Sequence, residues 1–393
     1  PEPEPEPEPT PPLEIVEDGP IQFVDADLAE EQTCPAESQD ADGHCSPDTT
    51  SWIEPYDAFF AQPEVIAAAN PVQDCDAWVD ELADLRRQGE SWLPLLDWPE
   101  VGGPEALGEV IWQSVAMDFL LEDLDERPLT VLMGPTVERE SPGGVVYLER
   151  ELILRDRFAG DVPAILLLPL GDGPHPGVVA LPGHAETGPF HVDWRLGARF
   201  PEAGLALIAP SFRAYQQTGD GGPLHPEDVA ARRFLCSGFN LMAMRAYEAR
   251  LALRVLAALA QVDGDRLGAI GHSGGSVTSH LLLWRRDVPV DTWVIDNSPE
   301  FGDVEVGDVD VTVDCGVHPG LYEMTQVISD VCAVPAAWDR TIRKVPYAYA
   351  PGVQPVDDPC EAWPFPPTEQ EPGPADADAP GWFIPLFVER LAG

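Results

Sequence analysis

The stretch from residue 145 to residue 296 constrains the fold of this 393-residue chain most, because short apolar segments alternate there with helical segments. A first helix, capped by Asn240, is predicted over residues 240–260 and a second over residues 276–286. This alternation is typical of an α/β protein with a mostly parallel sheet and helices on both faces. The apolar segments, each bounded by Gly or Pro, are residues 145–154, 164–168, 178–181, 205–209, 267–271 and 292–296.

The sharpest motif is Gly271-His272-Ser273-Gly274-Gly275, which lies between the predicted strand at 267–271 and the helix that follows. A strand that turns sharply into a helix around a central Ser needs small residues two positions before and after it, and Gly271 and Gly275 supply them. Such a turn exposes the Ser hydroxyl and places the Gly274 N–H at a helix N-terminus. We therefore predict Ser273 as a nucleophile and the Gly274 N–H as an oxyanion donor.

A second turn, Leu181-Pro182-Gly183-His184, follows the predicted strand at 178–181. Acyl-transfer enzymes need a second backbone donor for the oxyanion, and a loop after an inner strand normally supplies it. The N–H of His184 is our candidate for that donor.

With these motifs in place, the sequence resembles the α/β-hydrolase superfamily, and within it the dienelactone hydrolase and acetyl xylan esterase-like branch. The resemblance covers roughly residues 145–300, with a weaker likeness at residues 315–321. It rests on residues 178–184, 207–213, residues 243–260 of the predicted helix, and 262–275. It implies a carboxylic-ester hydrolase with a Ser nucleophile, a His base after the last strand, and an Asp or Glu acid after the strand before it.

The histidines depart from that pattern, because none lies beyond His318, whereas the implied base falls close to the C-terminus. Trp382 stands in the segment where that His is expected, and an indole cannot accept a proton from Ser. Three interpretations stay open: a relocated base, a fold whose chemistry has been lost, and a rearranged C-terminal part. The relocated-base candidates are His318, His184 and His191, with Asp296, Glu300 or Asp314 as the acid. Our assignment is His318 with Asp296.

The first 140 residues differ in composition from the rest. Residues 1–50 are rich in Pro and acids, begin with alternating Pro and Glu, and are predicted to form a disordered spacer. Residues 51–140 carry apolar residues at helical spacing and are predicted to form a helical extension. Residues 141–393 are then the hydrolase domain. No blade repeat precedes that domain, which disfavours a prolyl-oligopeptidase-type peptidase.

The charge excludes one class of partner. The sequence has 22 Lys and Arg against 69 Asp and Glu, a formal net charge of −47, and Lys344 is its only lysine. A polyanion such as nucleic acid is repelled by such a surface. Acid excess with almost no lysine fits a surface hydrated for high salt, and a GC-rich genome that writes Arg for Lys accounts for it equally well.

Cysteine usage and the first residues bear on location. The seven cysteines show no metal-ligand spacing, so we expect no metal and no cofactor. No apolar run is long enough for a membrane-spanning helix. A spacer of this kind usually comes directly after a removed signal or lipid-anchor segment, so we expect a secreted or cell-envelope bacterial protein. Local disulfide candidates in that compartment are Cys34 with Cys45 and Cys315 with Cys332.

Two function classes agree with these residues. The first is a hydrolase of small acyl esters or acetylated sugars that forms an acyl-enzyme on Ser273. The second is a catalytically degenerate relative that binds a ligand or an envelope partner through the same pocket. An aromatic set could line a sugar-binding cleft, although such residues more often belong to a core: Trp194, Phe212, Tyr215, Trp293 and Trp338.

Overall fold

The fold was determined from a computed structural model. It describes residues 19–28, 56–75, 112–192, 199–212, 230–298, 341–346 and 384–391, with short gaps inside these ranges that include His184 and Ser273. His318 and the cysteines at 34, 45, 315, 332 and 360 lie outside the described residues.

Ten strands and five helices make up the described fold, together with three short 3-10 turns. The strands are β1 (Ile21–Asp25), β2 (Leu129–Met133), β3 (Val137–Glu140), β4 (Val146–Asp156), β5 (Gly160–Pro169), β6 (His175–Leu181), β7 (Ala206–Pro210), β8 (Val262–His272), β9 (Thr292–Ser298) and β10 (Thr341–Pro346). The helices are α1 (Pro63–Ala68), α2 (Gly188–His191), α3 (Leu241–Ala257), α4 (Gly274–Leu283) and α5 (Ile384–Leu391). The turns are Asp118–Leu120, Leu124–Glu126 and Pro201–Ala203.

All ten strands form one sheet in the order β1-β2-β4-β5-β7-β6-β8-β9-β10, with β3 paired to β4. The strands β7, β6, β8, β9 and β10 are mutually parallel. The predicted parallel sheet is confirmed for this half. The other half is antiparallel at the β2–β4, β3–β4, β4–β5 and β5–β7 pairings. Short connections link β3 to β4 and β4 to β5 as hairpins.

Both faces of the central strands are buried, as the alternation of apolar and helical segments predicts. In β6, Val179 and Leu181 belong to one core cluster, whereas Val178 and Ala180 belong to a second. The first cluster contains α3 and α4, and the second contains Phe387 of α5. Since side chains alternate across a strand, the two clusters lie on opposite faces of the sheet.

The helix α3 begins where the sequence predicts, because the Asn240 side chain accepts a hydrogen bond of 2.7 Å from the Met242 N–H. The helix is buried on all sides, since every residue from Leu241 to Leu256 is buried. The described N-terminal residues cover the outer side: Arg127 donates to the Tyr247 hydroxyl at 2.9 Å, and Arg254 donates to the Arg127 carbonyl at 2.7 Å.

The N-terminal segment contributes more sheet than its sequence indicates. Residues 21–25, expected within the disordered spacer, form β1, which pairs in parallel with β2 of the predicted helical extension. The apolar residues Ile21 and Phe23 pack against the main core, which explains why this short segment is ordered as a strand. The three-part division at residues 50 and 140 stays a prediction.

One disulfide is formed among the described residues, between Cys75 and Cys236, which are 161 positions apart in sequence. The pairing differs from both local candidates, whose cysteines lie outside the described residues. It joins the segment that follows α1 to the segment that precedes α3. Beside it, Phe59 stacks on Phe234 with ring centroids 5.3 Å apart.

Candidate functional site

The strand β8 ends at His272 and α4 begins at Gly274, so a single residue separates strand from helix. That residue, Ser273, lies outside the described residues, and its role as nucleophile stays a prediction. The strand–turn–helix arrangement expected around it is present. Parallel strands β6, β8 and β9 all end at this edge of the sheet, where open α/β sheets bind their ligands.

The two glycines that flank the turn leave no room for a side chain. A Cβ at Gly275 would lie 2.0 Å from the Leu181 carbonyl oxygen, and a Cβ at Gly271 would lie 2.3 Å from the Gly275 oxygen and 2.2 Å from Ser279 Oγ. Real Cβ atoms do not approach heavy atoms so closely. The turn is therefore pressed against the end of β6, as a sharp strand-to-helix turn requires.

Gly274 is buried and is the first residue of the ten-residue helix α4. The first N–H groups of a helix have no partner within it and carry a partial positive charge. This is the environment that a developing oxyanion needs. The assignment of the Gly274 N–H as donor remains a prediction.

The loop after β6 is held by a buried carboxylate that the sequence analysis did not identify. Glu186 Oε2 accepts a hydrogen bond of 2.6 Å from the N–H of Gly183. In return the Glu186 N–H donates to the Gly183 carbonyl at 3.3 Å. The second predicted oxyanion donor, His184, follows Gly183 directly and lies outside the described residues.

The same carboxylate contacts two imidazoles. Glu186 Oε2 lies 2.8 Å from His191 Nδ1, and Oε1 lies 3.7 Å from His272 Nδ1. The centroids of the two imidazole rings are 6.0 Å apart, and the angle between the ring planes is 28°. Side-chain exposure is 5% for Glu186, 6% for His272 and zero for His191.

The pKa of Glu186 reflects these neighbours. Burial raises it, but the hydrogen bond and charge of His191, the charge of His272 and the Gly183 N–H outweigh burial and hold the pKa below its usual value. The carboxylate form is therefore favoured inside the protein.

The start of α2 fastens this loop to the end of β7. Gly188 donates its N–H to Ser211 Oγ at 2.9 Å, and a Cβ at Gly188 would lie 2.3 Å from the Ala209 carbonyl oxygen. The chain between β6 and His191 is thus held at both ends, by Glu186 on one side and by the end of β7 on the other.

Of the two remaining predicted catalytic residues, Asp296 and His318, the structure describes only the backbone of Asp296. Asp296 lies on β9 and pairs in register with His272, so its backbone runs beside the turn between β8 and α4 at the carboxyl edge of the sheet. Its side chain and the whole of His318 lie outside the described residues. Of the aromatic set, Phe212 and Trp293 are fully buried, which places them in the core and not in a sugar-binding cleft.

Sequence reasoning missed Glu186, although a signal was present. Glu186 stands three residues after Gly183, the spacing at which a carboxylate reaches back to a backbone N–H in a capping box. Its contact with His272 joins positions 86 residues apart and has no local signature. Among the described residues, no cluster of His, Cys, Asp or Glu is arranged to hold a metal ion.

No helix in the described part of the chain is both long and apolar enough to cross a bilayer. No protein-family profile matches the sequence, and no curated protein matches it.

Solved structures with a similar arrangement include the methylesterase BT1017, at 17% identity and a TM-score of 0.42 over 69% of this chain and 55% of that one. Acetyl xylan esterase 1 from Thermoanaerobacterium sp. JW/SL YS485 aligns at 14% identity and a TM-score of 0.41, over 61% and 77% of the two chains. A putative dienelactone hydrolase from Klebsiella pneumoniae subsp. pneumoniae aligns at 17% identity and a TM-score of 0.31, over 55% and 72%. The chain thus spans little more than half of the methylesterase.

These scores are low, so the assignment of the fold depends on the molecule itself. The five parallel strands follow an antiparallel hairpin, helices cover both faces of the sheet, and a glycine-crowded turn links β8 to α4 at its carboxyl edge. By that architecture the chain has the α/β-hydrolase fold.

Proposed function

We propose that this protein is a carboxylic-ester hydrolase that forms an acyl-enzyme on Ser273. The observation that carries the proposal is the crowding at Gly271 and Gly275, which leaves space for hydrogen atoms only. A turn that excludes side chains on both sides of a central Ser is the device by which α/β-hydrolases present a nucleophile. An ordinary glycine-rich turn needs no such contact with the neighbouring strand.

The reaction runs in two halves. The Ser273 hydroxyl attacks the ester carbonyl while a His base takes its proton, and the oxyanion is stabilised by the N–H groups of Gly274 and His184. The protonated base then gives its proton to the leaving alcohol, and the acyl group stays on Ser273. Water, deprotonated by the same base, releases the acid and restores the hydroxyl.

For the base and its acid we propose His318 and Asp296. The register of β9 supports Asp296, since its backbone lies next to His272 and so one residue away from Ser273 in the neighbouring strand. His191 is a weaker candidate for the base, because its side chain has no exposed surface and already contacts Glu186. His184 remains the third candidate.

The substrate class we propose is small acyl esters, including acetylated carbohydrates, and the compartment is the cell envelope or the exterior. The Cys75–Cys236 disulfide supports an oxidising compartment, because cytosolic proteins seldom keep structural disulfides. A lipid anchor attached upstream of the Pro-Glu spacer belongs to the same proposal.

A second candidate function is a non-catalytic hydrolase fold that binds a ligand or an envelope partner through its pocket. It is favoured by one observation, namely that no His follows His318 in the sequence.

Labelling with a fluorophosphonate separates the two functions, because the reagent captures only an activated Ser. We expect a folded parent protein to be labelled at Ser273, and the Ser273→Ala variant to stay unlabelled. Among histidine variants, His318→Ala is expected to lose labelling, while His44→Ala in the acidic N-terminal segment keeps it. A folded parent that resists the reagent would instead support the binding protein.

A further inference from the structure

We propose that Glu186 is a positioning residue, whose carboxylate fixes the loop after β6 in the conformation that binds the oxyanion and ties that loop to the nucleophile turn. This inference rests on the proposed function, because it assigns the second oxyanion donor to the loop that contains His184. It adds a residue to which the sequence motifs give no role.

The first argument is the hydrogen bond to Gly183. The Gly183 N–H donates to Glu186 Oε2 at 2.6 Å, so the peptide unit immediately before Gly183 has a fixed orientation. The next N–H along the chain belongs to His184. That N–H shares a planar peptide unit with the Gly183 carbonyl, which accepts a hydrogen bond of 3.3 Å from the Glu186 N–H. Glu186 therefore acts on the donor through the backbone, without touching the substrate.

The second argument is that one carboxylate joins three separate segments. Glu186 contacts Gly183 in the loop, His191 at the end of α2, and His272, the last residue of β8 before Ser273. Oxyanion catalysis depends on the distance between two donors, one in the loop and one in the turn. A buried group that bonds to the first segment and lies beside the second holds that distance.

The third argument is burial. A carboxylate with 5% exposed surface is costly unless it is paired. Here the cost is offset by a backbone N–H and two imidazoles, which come from three different elements around the candidate site. Such an arrangement is typical of a group that orients reacting residues.

The expected kinetic signature depends on when the oxyanion forms. Its hydrogen bonds strengthen only in the transition state, so a misplaced donor lowers kcat and leaves KM nearly unchanged. Deleting one oxyanion donor typically costs about 100-fold to 1,000-fold in kcat. A loosened donor should cost less, so for Glu186→Ala we expect kcat to fall by about 10-fold to 100-fold.

The test compares hydrolysis of p-nitrophenyl acetate by the parent, Glu186→Ala and Glu186→Gln. The glutamine keeps an oxygen that accepts from the Gly183 N–H and lacks the charge, so its kcat is expected between those of the parent and the alanine variant. KM should stay within about 3-fold of the parent in both variants.

Glu202 offers a control that is matched in its backbone hydrogen bond, although it is less buried than Glu186. Its Oε1 accepts from the Gly143 N–H, also at 2.6 Å, but it lies in the turn before β7, at the opposite edge of the sheet from the nucleophile turn. Glu202→Ala is expected to keep the parent kcat. If Glu186→Ala fails to fold, Glu186→Gln carries the comparison, because it preserves the shape and the acceptor.

The outcomes distinguish this inference from the proposed function. A parent-like kcat in both Glu186 variants, with turnover that vanishes in Ser273→Ala, would overturn the positioning role and leave the hydrolase intact. Equal losses of kcat in Glu186→Ala and Glu202→Ala would also overturn it, since they would indicate general destabilisation. A folded parent without turnover on Ser273 would overturn both proposals.

Discussion

At the scale of single residues, steric crowding allows no side chain larger than a hydrogen atom at Gly271 and Gly275 of the nucleophile turn. We predict that Gly275→Ala destabilises the protein by about 3 kcal/mol, the upper end of the usual range for overpacking, because the clash with backbone atoms can be relieved only by moving β6 away from α4. The new Cβ would lie 2.0 Å from the Leu181 oxygen. Urea unfolding measures the change.

The matched control is Gly19→Ala, where the nearest heavy atom to the new Cβ is 3.9 Å away. We expect its free energy of unfolding to stay within about 0.5 kcal/mol of the parent. If Gly275→Ala were as stable as this control, the close contact between the nucleophile turn and β6 would be wrong.

Glu186 also gives a prediction for the pH dependence of stability. Burial raises its pKa, but His191, His272 and the Gly183 N–H together lower the pKa by more than burial raises it. The pKa in the folded state therefore lies below the unfolded value of 4.5. The unfolded state then binds more protons than the folded state in this range, and stability falls as pH falls. The stabilisation that the Glu186 carboxylate contributes is complete above pH 4.5 and is lost as the pH drops through its folded pKa.

The Glu186→Gln variant cannot lose this contribution. We expect the difference in unfolding free energy between the parent and Glu186→Gln to shrink as the pH is lowered from about 7 to about 3, as measured by urea titrations. Effects of the other carboxylates cancel in that difference. A difference that stays constant across the range would contradict the assignment of a lowered pKa to Glu186.

At the scale of elements, we expect the Cys75–Cys236 disulfide to stabilise the packing of the N-terminal segment against the rest of the fold. Replacing Cys75 and Cys236 together by Ala should lower the free energy of unfolding by about 2–5 kcal/mol, since closing a long loop restricts the unfolded chain. Peptide mapping without reduction should recover the two cysteines in one linked fragment. Alkylation of both thiols in the folded parent would contradict this pairing.

The aromatic cluster beside that disulfide should matter as much. Phe234 is fully buried and stacks on Phe59. We predict that Phe234→Ala lowers the free energy of unfolding by about 3–5 kcal/mol, and that Phe234→Leu costs less because it fills more of the cavity. Equal stability of the two variants, measured by urea unfolding, would contradict close packing at this position.

The central elements were predictable from sequence and the edge elements were not. β6, β7 and residues 267–271 of β8 are mostly apolar segments bounded by Gly or Pro, because strands covered on both faces exclude polar residues. β8 itself begins earlier, at Val262, and residues 263–266 are mostly polar and partly exposed. β3 has the sequence VERE and is wholly exposed, so no burial pattern identifies it. β10 spans Thr341–Pro346 and includes Arg343 and Lys344, so no apolar run marks it as a strand in the sequence.

The candidate site divides in the same way. The strand–turn–helix arrangement at residues 271–275 was predictable, because its glycines and Ser lie within five consecutive residues. Glu186 was not, since its partners come from a loop, a helix and a strand that meet only in the folded chain. The disulfide likewise joins positions 161 residues apart, and such pairings leave no local trace in a sequence.

At the scale of the whole molecule, charge dominates. Several of the 22 basic residues are buried on α3, where Arg245, Arg250 and Arg254 have less than a tenth of their surface exposed. Asp156, Glu186 and Glu248 are buried as well, so among the described residues burial removes acids as well as bases and leaves the acid excess of the composition in place. Mutual repulsion of the surface carboxylates should destabilise the compact state at low ionic strength.

Salt should relieve that repulsion. We predict that the thermal midpoint rises as NaCl increases from about 0.01 M to about 0.3 M, over which the Debye length falls from about 30 Å to about 6 Å. KCl should give the same rise, because screening does not depend on which monovalent cation supplies it. A midpoint that is flat or falls across this range would mean that the acidic surface is not a source of strain.

The central claim is that Ser273 is the nucleophile of an ester hydrolase, and the initial rate on p-nitrophenyl acetate tests it most directly. The rate is measured for the parent and for Ser273→Ala at several salt concentrations, with the thermal midpoint of each confirming that it is folded. The account predicts turnover in the parent and a loss of about 1,000-fold or more in Ser273→Ala. Equal rates in the two proteins, or no turnover in a folded parent, would contradict it.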